Sequence, residues 1–536
     1  MNKTAVKIIL SSELLSIAFL NSLSAKVPVE KTDNRPNILL FVFDDASYQH
    51  FSANGSKWTN TPGFDRVAKE GIRFENFYTC NAKSAPSRAS MLTGLYSWQL
   101  KEAGNHIGFF PPEIKVFPEV LQENGYSIGF TGKPWAPGTA KTNEGKERFL
   151  VGKPYLTKTI IPPTTAISHQ DYAANFSDFL TDNPSGKPWF FWCGGWEPHR
   201  PYQYRSGIDI GGKNTASIDS VPSYLPDNDS VRTDLLDYGF ELEYFDQQIA
   251  KIIQDLEDKN LLDNTIIVIT SDNGMPFPRS KGYSFDESNH IPMAIMWKNG
   301  IAKSGNISNY FSVVDLASTF IEVSKIDIKK SGLLPSAGNS FAPVFLDLKK
   351  GNSVCSKGVL YFGRERNDFG RPNNEGYPTR SILKDNFLFI ANLKNDRYPG
   401  GNPETGYLDC DGSPTKSVIL NLKRSGKNNW YWDQSFGFHP AEELYNIAVD
   451  QDCLHNLAEN NEFSHKKAAL KRQLFKKLKS QNDPRVTGNG DVFDNYPFMS
   501  KDYWNFWERV RDKEIINPAS KTEWVNPTDY ELIPNH

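Results

Sequence analysis

The sequence predicts an α/β fold: a mainly parallel sheet flanked by helices, followed by a smaller C-terminal α+β domain with an antiparallel sheet. Short segments rich in β-branched and aromatic residues, at 37–43, 126–131, 189–193 and 265–270, read as buried strands. Helical patterns lie between them. The clearest places Leu242, Phe245, Ile249, Ile252, Ile253 and Leu256 on one face. Strands alternating with helices imply a sheet covered on both sides. A polar group follows each strand: Asp44-Asp45, Lys133, His199 and Asp272-Asn273. Open α/β sheets bind ligands at the carboxyl ends of their strands, so these scattered groups are expected to converge.

Taken in chain order, residues 1–25 read as an export signal. Lys3 and Lys7 precede an apolar stretch at 14–20, and Ser22 to Ala25 supply a small-residue exit. A periplasmic or secreted protein is the consequence. A chain of 536 residues is too long for one compact core. We expect the main domain at 26–350 and the smaller one at 351–536, with the change falling between Phe345 and Val359, where Gly, Pro and Asn become frequent. Runs such as 381–390 supply its strands. The tail beyond Pro484 is rich in aromatics and Asn without clear period, and reads as a surface wrap.

Composition narrows the function. A formal net charge of -3 and a pI near 6.3 give no global attraction to nucleic acid or anionic membrane, so a bound anion must be gripped locally. No segment after the signal is apolar for long enough to span a bilayer. The 5 cysteines are few and odd in number, compatible with one or two bridges at most, and they lack the Cys-x-x-Cys spacing of thiolate zinc sites.

The most informative segment is Ser84-Ala85-Pro86-Ser87-Arg88, with Leu92-Thr93-Gly94 after it. Pro86 suits the first turn of a helix, which would set Ser84 beside free amides that favour an anion. Arg88 adds a positive fork for oxyanions. The plainer reading is a capped surface helix with an incidental Arg. Asp44, Asp45, Asp272 and Asn273 form an all-oxygen set, suited to a hard cation such as calcium or magnesium and unsuited to zinc.

This segment resembles the signature of the formylglycine-dependent sulfatases: Cys or Ser, any residue, Pro-Ser-Arg, then Leu-Thr-Gly. The resemblance extends to Arg35-Pro36-Asn37-Ile38-Leu39 ahead of Asp44-Asp45, to Thr270-Ser271-Asp272-Asn273-Gly274, and to Glu443-Leu444-Tyr445-Asn446 ahead of Asn456-Leu457-Ala458. It implies an alkaline-phosphatase-like fold and conversion of Ser84 to formylglycine by a serine-type maturase. It also implies one calcium ion, or magnesium in its place, on Asp44, Asp45, Asp272, Asn273 and the modified Ser84. The chemistry is coherent, because a plain serine attacking sulfur would end as a stable sulfate ester, whereas a hydrated aldehyde keeps a second hydroxyl to expel sulfate. By similarity Lys133 and Lys281 hold sulfate oxygens and His199 is the general acid. Many family members carry Lys-x-His after the second strand. This chain has Lys133-Pro134-Trp135 instead, and His106 is the candidate substitute.

Asp272-Asn273-Gly274-Met275-Pro276-Phe277-Pro278, Glu197-Pro198-His199-Arg200 and Gly376-Tyr377-Pro378-Thr379-Arg380 look most like the heparan N-sulfatase branch, whose bacterial relatives act on varied sulfated polysaccharides, algal ones such as ulvan included. A sulfated carbohydrate is the expected partner. Lys281, His106, His290, Arg364 and Arg380 are its candidate contacts, and Arg364 and Arg380, with Arg371, serve equally well as domain-interface ion pairs. Two other readings stay open: a phosphatase or phosphonate monoester hydrolase of the same superfamily, and a non-catalytic binder of sulfated glycans.

Overall fold

The computed structural model describes residues 33–183, 186–301, 303–347 and 358–531. The expected export signal, the domain boundary and Cys355 lie outside them. In chain order the strands are β1 (Asn37–Phe43), β2 (Ile72–Tyr78), β3 (Gly108–Phe110), β4 (Ser127–Gly132), β5 (Gly138–Ala140), β6 (Lys153–Pro154), β7 (Trp189–Gly194), β8 (Thr265–Ser271), β9 (Met293–Met296) and β10 (Gly305–Ser312). They are followed by β11 (Leu360–Arg364), β12 (Thr379–Lys384), β13 (Phe387–Asn392) and β14 (Glu442–Asn446).

An 8-stranded sheet runs in the order β10-β2-β9-β8-β1-β7-β4-β6. Only β9 opposes its neighbours β2 and β8; the other pairings are parallel. β1 shows why the sequence forms such a sheet. All of its residues are buried, and the period of two sends Ile38, Leu40 and Val42 into one apolar cluster and Leu39, Phe41 and Phe43 into another on the opposite face. The helix Asp229–Asp258 covers the second face with the six apolar residues its spacing marks, all fully buried.

The second sheet is antiparallel, in the order β11-β12-β13-β14. The expected run at 381–390 is a hairpin, β12 pairing with β13 from Thr379↔Asn392 to Lys384↔Phe387. Ile382, Phe389 and Leu444 of this sheet, with Leu470, Leu474 and Leu478 of the helix Ser464–Ser480, join the apolar cluster that Ile38 and Leu40 enter. The two sheets therefore share a core. Beyond Pro484, Phe498 and Phe506 pack with Phe369 in a smaller aromatic cluster. Cys80, Cys193, Cys410 and Cys453 are buried free thiols, so no bridge joins the described cysteines.

Three proposed sugar contacts are corrected by their packing. Arg380 is fully buried, with Nε 2.6 Å from Asp483 and Nη2 2.5 Å from Glu365. Arg364, 2 % exposed, pairs with Asp409 at 2.6 Å, and Arg371 shares that carboxylate at 2.5 Å. These guanidiniums are internal ion pairs, the alternative that sequence left equal. His290 is stacked between Tyr48 and Tyr78 with ring centroids 4.2 and 4.5 Å away, and its Nε2 donates to the Glu75 carbonyl at 2.9 Å, so its ring is committed to the fold.

Removing one partner of a buried ion pair leaves an uncompensated charge, which costs ~3–5 kcal/mol. Arg380→Ala should lower the unfolding free energy by about that amount in urea titration. A loss below ~1 kcal/mol, the value of an exposed pair, would contradict the buried assignment.

Candidate active site

The four strands β8, β1, β7 and β4 lie side by side and end level. Phe43 of β1 pairs with Ser271 of β8, Val42 with Gly194 of β7, and Gly194 with Gly132 of β4. The next residues are thereby Asp44, Asp272 and Lys133. Backbone bonds carry the ladder one step further: Asp272 N–H donates to the Phe43 carbonyl at 3.1 Å, and Lys133 N–H to the Gly194 carbonyl at 2.8 Å. Glycine is required on both sides of that last contact, since a Cβ at Gly132 would sit 1.9 Å from Gly194 O and one at Gly194 1.9 Å from Lys133 O.

The helix Ser84–Thr93 docks against these ends with every residue buried. Ser84 opens it and is 1 % exposed; its Oγ donates to Asp44 Oδ1 at 3.0 Å and lies 3.5 Å from Lys133 Nζ. Arg88, one turn on, is fully buried. Its Nε donates to Asp272 Oδ2 at 2.8 Å and its Nη2 to Asp44 Oδ1 at 3.4 Å, while Nη1 donates to the carbonyls of Lys133 and Pro134 at 2.9 and 3.1 Å. That corrects the expected oxyanion fork. Arg88 is a positioning residue that ties three strand ends together.

Asp44, Asp45 and Asp272 offer oxygens within 4.8 Å of one another. Asp45 adopts a left-handed φ of 75°, uncommon for a non-glycine residue, and this turns consecutive carboxylates into one nest. Asn273 donates from Nδ2 to Asp45 Oδ1 at 2.7 Å, leaving its buried Oδ1 without a partner. An orphaned amide oxygen beside three carboxylates is the donor set of a hard cation. The electrostatics agree: burial and the Asp44 charge push Asp272 up to about 7. Against the cost of its own burial, Asp44 is held well below the usual carboxylate range by Lys133, His199 and Arg88. A second acidic group, Asp45, His199 and Asp411, also converges, but Lys281 Nζ already bridges its carboxylates, 2.7 Å from Asp45 and 2.9 Å from Asp411.

Lys133 Nζ contacts Asp44 Oδ2 at 2.5 Å. His199 donates from Nδ1 to the Arg200 carbonyl at 2.7 Å, which turns Nε2 to the site, 3.8 Å from Asp45 Oδ2. Its side chain is 30 % exposed, and burial together with the Lys281 charge holds its pKa below the ordinary histidine value. Thus Ser84, Lys133, His199 and Lys281 come together as the sequence predicts. His106 does not join Ser84 directly: its Nδ1 is bound to Asp368 Oδ1 at 2.9 Å, and Asp368 Oδ2 pairs with Lys83 at 2.8 Å. Trp135, two residues after Lys133, donates from Nε1 to the Ala85 carbonyl at 2.9 Å and so pins the first turn of the helix Ser84–Thr93. Asp411, Asp368 and Lys83 were missed. The two acids sit in loops of the C-terminal half, without a spacing that relates them to residues 44–281.

A hydroxyl at a helix N-terminus, two ammonium groups, an imidazole at the mouth and a carboxylate nest are the parts of a hydrolase for esters of a tetrahedral oxyanion. The sulfatase family model matches residues 36–326, more than half of the chain, and the chain belongs to the sulfatase family. It is a sulfuric ester hydrolase. It is 25 % identical to N-sulphoglucosamine sulphohydrolase of Homo sapiens over 497 residues, covering 85 % of this chain and 93 % of that one. An ulvan-active sulfatase of Formosa agariphila is also 25 % identical, over 505 residues, covering 84 % and 76 %. Among solved structures, one in complex with its substrate D-glucosamine-2-N,6-O-disulfate superposes with a TM-score of 0.56 at 19 % identity, over 86 % of this chain and 100 % of the other. Another, in complex with k-i-k-neocarrahexaose, gives 0.55 at 19 % over 92 % and 100 %. The fold is the alkaline-phosphatase-like one expected.

A cation that binds only the folded nest stabilises it by ~2.7 kcal/mol at a hundred times its dissociation constant. Calcium or magnesium should raise the melting temperature of the wild-type protein, and Asn273→Ala or Asp272→Asn should abolish that increment whatever the variant's starting stability. An unchanged increment in both variants would move the cation elsewhere.

Proposed function

We propose that the protein removes sulfate from a sulfated polysaccharide or its oligosaccharides by means of a formylglycine derived from Ser84. One divalent cation is held by Asp44, Asp45, Asp272, Asn273 and the modified residue. The observation that carries this reading is the setting of Ser84: first residue of a buried helix, 3.0 Å from a carboxylate of the nest and 3.5 Å from Lys133. Its signature and the sulfatase membership agree with it.

When bound, the cation would supply a Lewis acid that draws negative charge off the sulfate and the nucleophilic oxygen. Oxidised and hydrated, residue 84 would supply the second hydroxyl that lets the sulfate leave. The chain's own groups do the rest. Lys133 and Lys281 neutralise sulfate oxygens, Arg88 fixes the carboxylates, and Asp411 orients Lys281. His199 donates from Nδ1 to a carbonyl, so its imidazolium form carries the Nε2 proton that passes to the leaving sugar oxygen as the S–O bond breaks, and its lowered pKa places that form on the acid side. The relatives supply the substrate class: N-sulphoglucosamine and ulvan are the targets their names carry. The branch resemblance favours a heparan-type or algal glycan. An export signal at 1–25, a main domain at 26–350, a second at 351–536, a periplasmic or secreted location and a serine-type maturase complete the proposal.

Protein made with a matching maturase should yield a peptide containing position 84 that is lighter by the hydrogen molecule lost on oxidation, and it should release sulfate from a defined panel of heparan, chondroitin and ulvan oligosaccharides. Sustained turnover by protein whose Ser84 is unmodified, or cleavage of phosphate esters alone, would sink the reading.

The role of His199 is separable. A sugar alkoxide leaves poorly and needs a proton, whereas nitrophenolate does not. His199→Gln should therefore cut kcat on the sugar sulfate by roughly 10²–10⁴-fold while affecting 4-nitrophenyl sulfate far less. Equal losses on both substrates would assign His199 to sulfate binding.

A further inference from the structure

Three large apolar side chains stand exposed around one cleft beside the site. Trp196 is 42 % exposed, Phe149 46 % and Leu156 39 %, and all three line a cavity of about 590 Å³. That size lies within the ~300–1,000 Å³ of ligand clefts. Gly132 and Pro134, the residues on either side of Lys133, line it too. The cleft adjoins the site across one ring: Lys133 Nζ lies 5.6 Å from the Trp196 centroid and 3.5 Å from Ser84 Oγ, and Trp196 also lines the cavity. The wall also carries Lys141, which is exposed and makes no ion pair among the described residues.

We propose that this cleft is the subsite for the second sugar of the substrate, its ring stacked on Trp196 and its anionic substituent facing Lys141. The inference rests on the glycan reading above. A pyranose presents an apolar C–H face and a polar edge, and a cleft lined by an exposed indole together with the Lys141 ammonium and the Glu147 carboxylate offers a surface to each. A purely apolar occupant would use Phe149 and Leu156 but leave Lys141 without a function. A single sulfated sugar held by Lys133, Lys281 and His199 would leave the whole cleft unfilled. Trp196 is thus a specificity-determining residue, acting on the length of the substrate.

The test is binding, which needs no turnover. Titration calorimetry on Ser84→Ala protein would compare defined sulfated monosaccharides with the matching disaccharides from heparan, chondroitin and ulvan. At least one disaccharide should bind about tenfold more tightly than its monosaccharide, a factor equal to ~1.4 kcal/mol. Adding Trp196→Ala should bring that ratio close to unity, Trp196→Phe should retain most of it, and Lys141→Glu should lower it. The subsite is overturned if no pair shows the preference, if no disaccharide binds, or if Trp196→Ala weakens both members of a pair equally. Sulfate release by the matured wild type is scored separately on the same sugars. A disaccharide preference that depends on Trp196, without release from any sugar, would keep the subsite and remove the glycan-sulfatase reading.

Discussion

The arrangement depends on burying carboxylates at the ends of parallel strands. Asp44, Asp45 and Asp272 are fully buried within 4.8 Å of one another, a placement that is costly unless opposite charge is fixed nearby. Arg88, Lys133 and Lys281 supply that charge, each from a different part of the chain. Two of these, Lys133 and Lys281, are also the groups that would handle sulfate, so they make the acidic nest tolerable in the folded state as well. Activity and stability cannot be tuned independently at this centre.

The C-terminal half contributes more than a cover. Asp411 fixes Lys281, and Asp368 links Lys83 with His106. Both acids are carried by loops associated with the second sheet, which shares its core with the first. Asp409 gathers Arg364 and Arg371 two residues before Asp411, so the buried arginines brace the loop that presents it. A segment peripheral in sequence thereby positions Lys281 and Lys83 at the candidate site.

How much of this was legible follows from the range of each interaction. Strand ends are local in sequence, so Asp44-Asp45, Lys133, His199 and Asp272-Asn273 could be placed from apolar runs of a few residues, and Ser84 from the proline in the first turn of its helix. Arg88 was legible as important but not in its direction, because whether a guanidinium faces solvent or carboxylates is decided by packing across the sheet. Arg364, Arg380 and His290 failed as sugar contacts for the same reason: their partners, Asp409, Asp483 and Glu75, lie far away in sequence. Asp411 left no signal, since a loop acid has no period.

The burial of Ser84 carries a consequence of timing. At 1 % exposure, inside a helix whose every residue is covered and whose first turn is clamped by Trp135, its hydroxyl is closed to any macromolecular catalyst. An enzyme that oxidises it must meet the segment as extended chain, before β1 and β8 bring their aspartates against it. If Ser84 is oxidised as proposed, the geometry makes that modification co-synthetic or pre-folding.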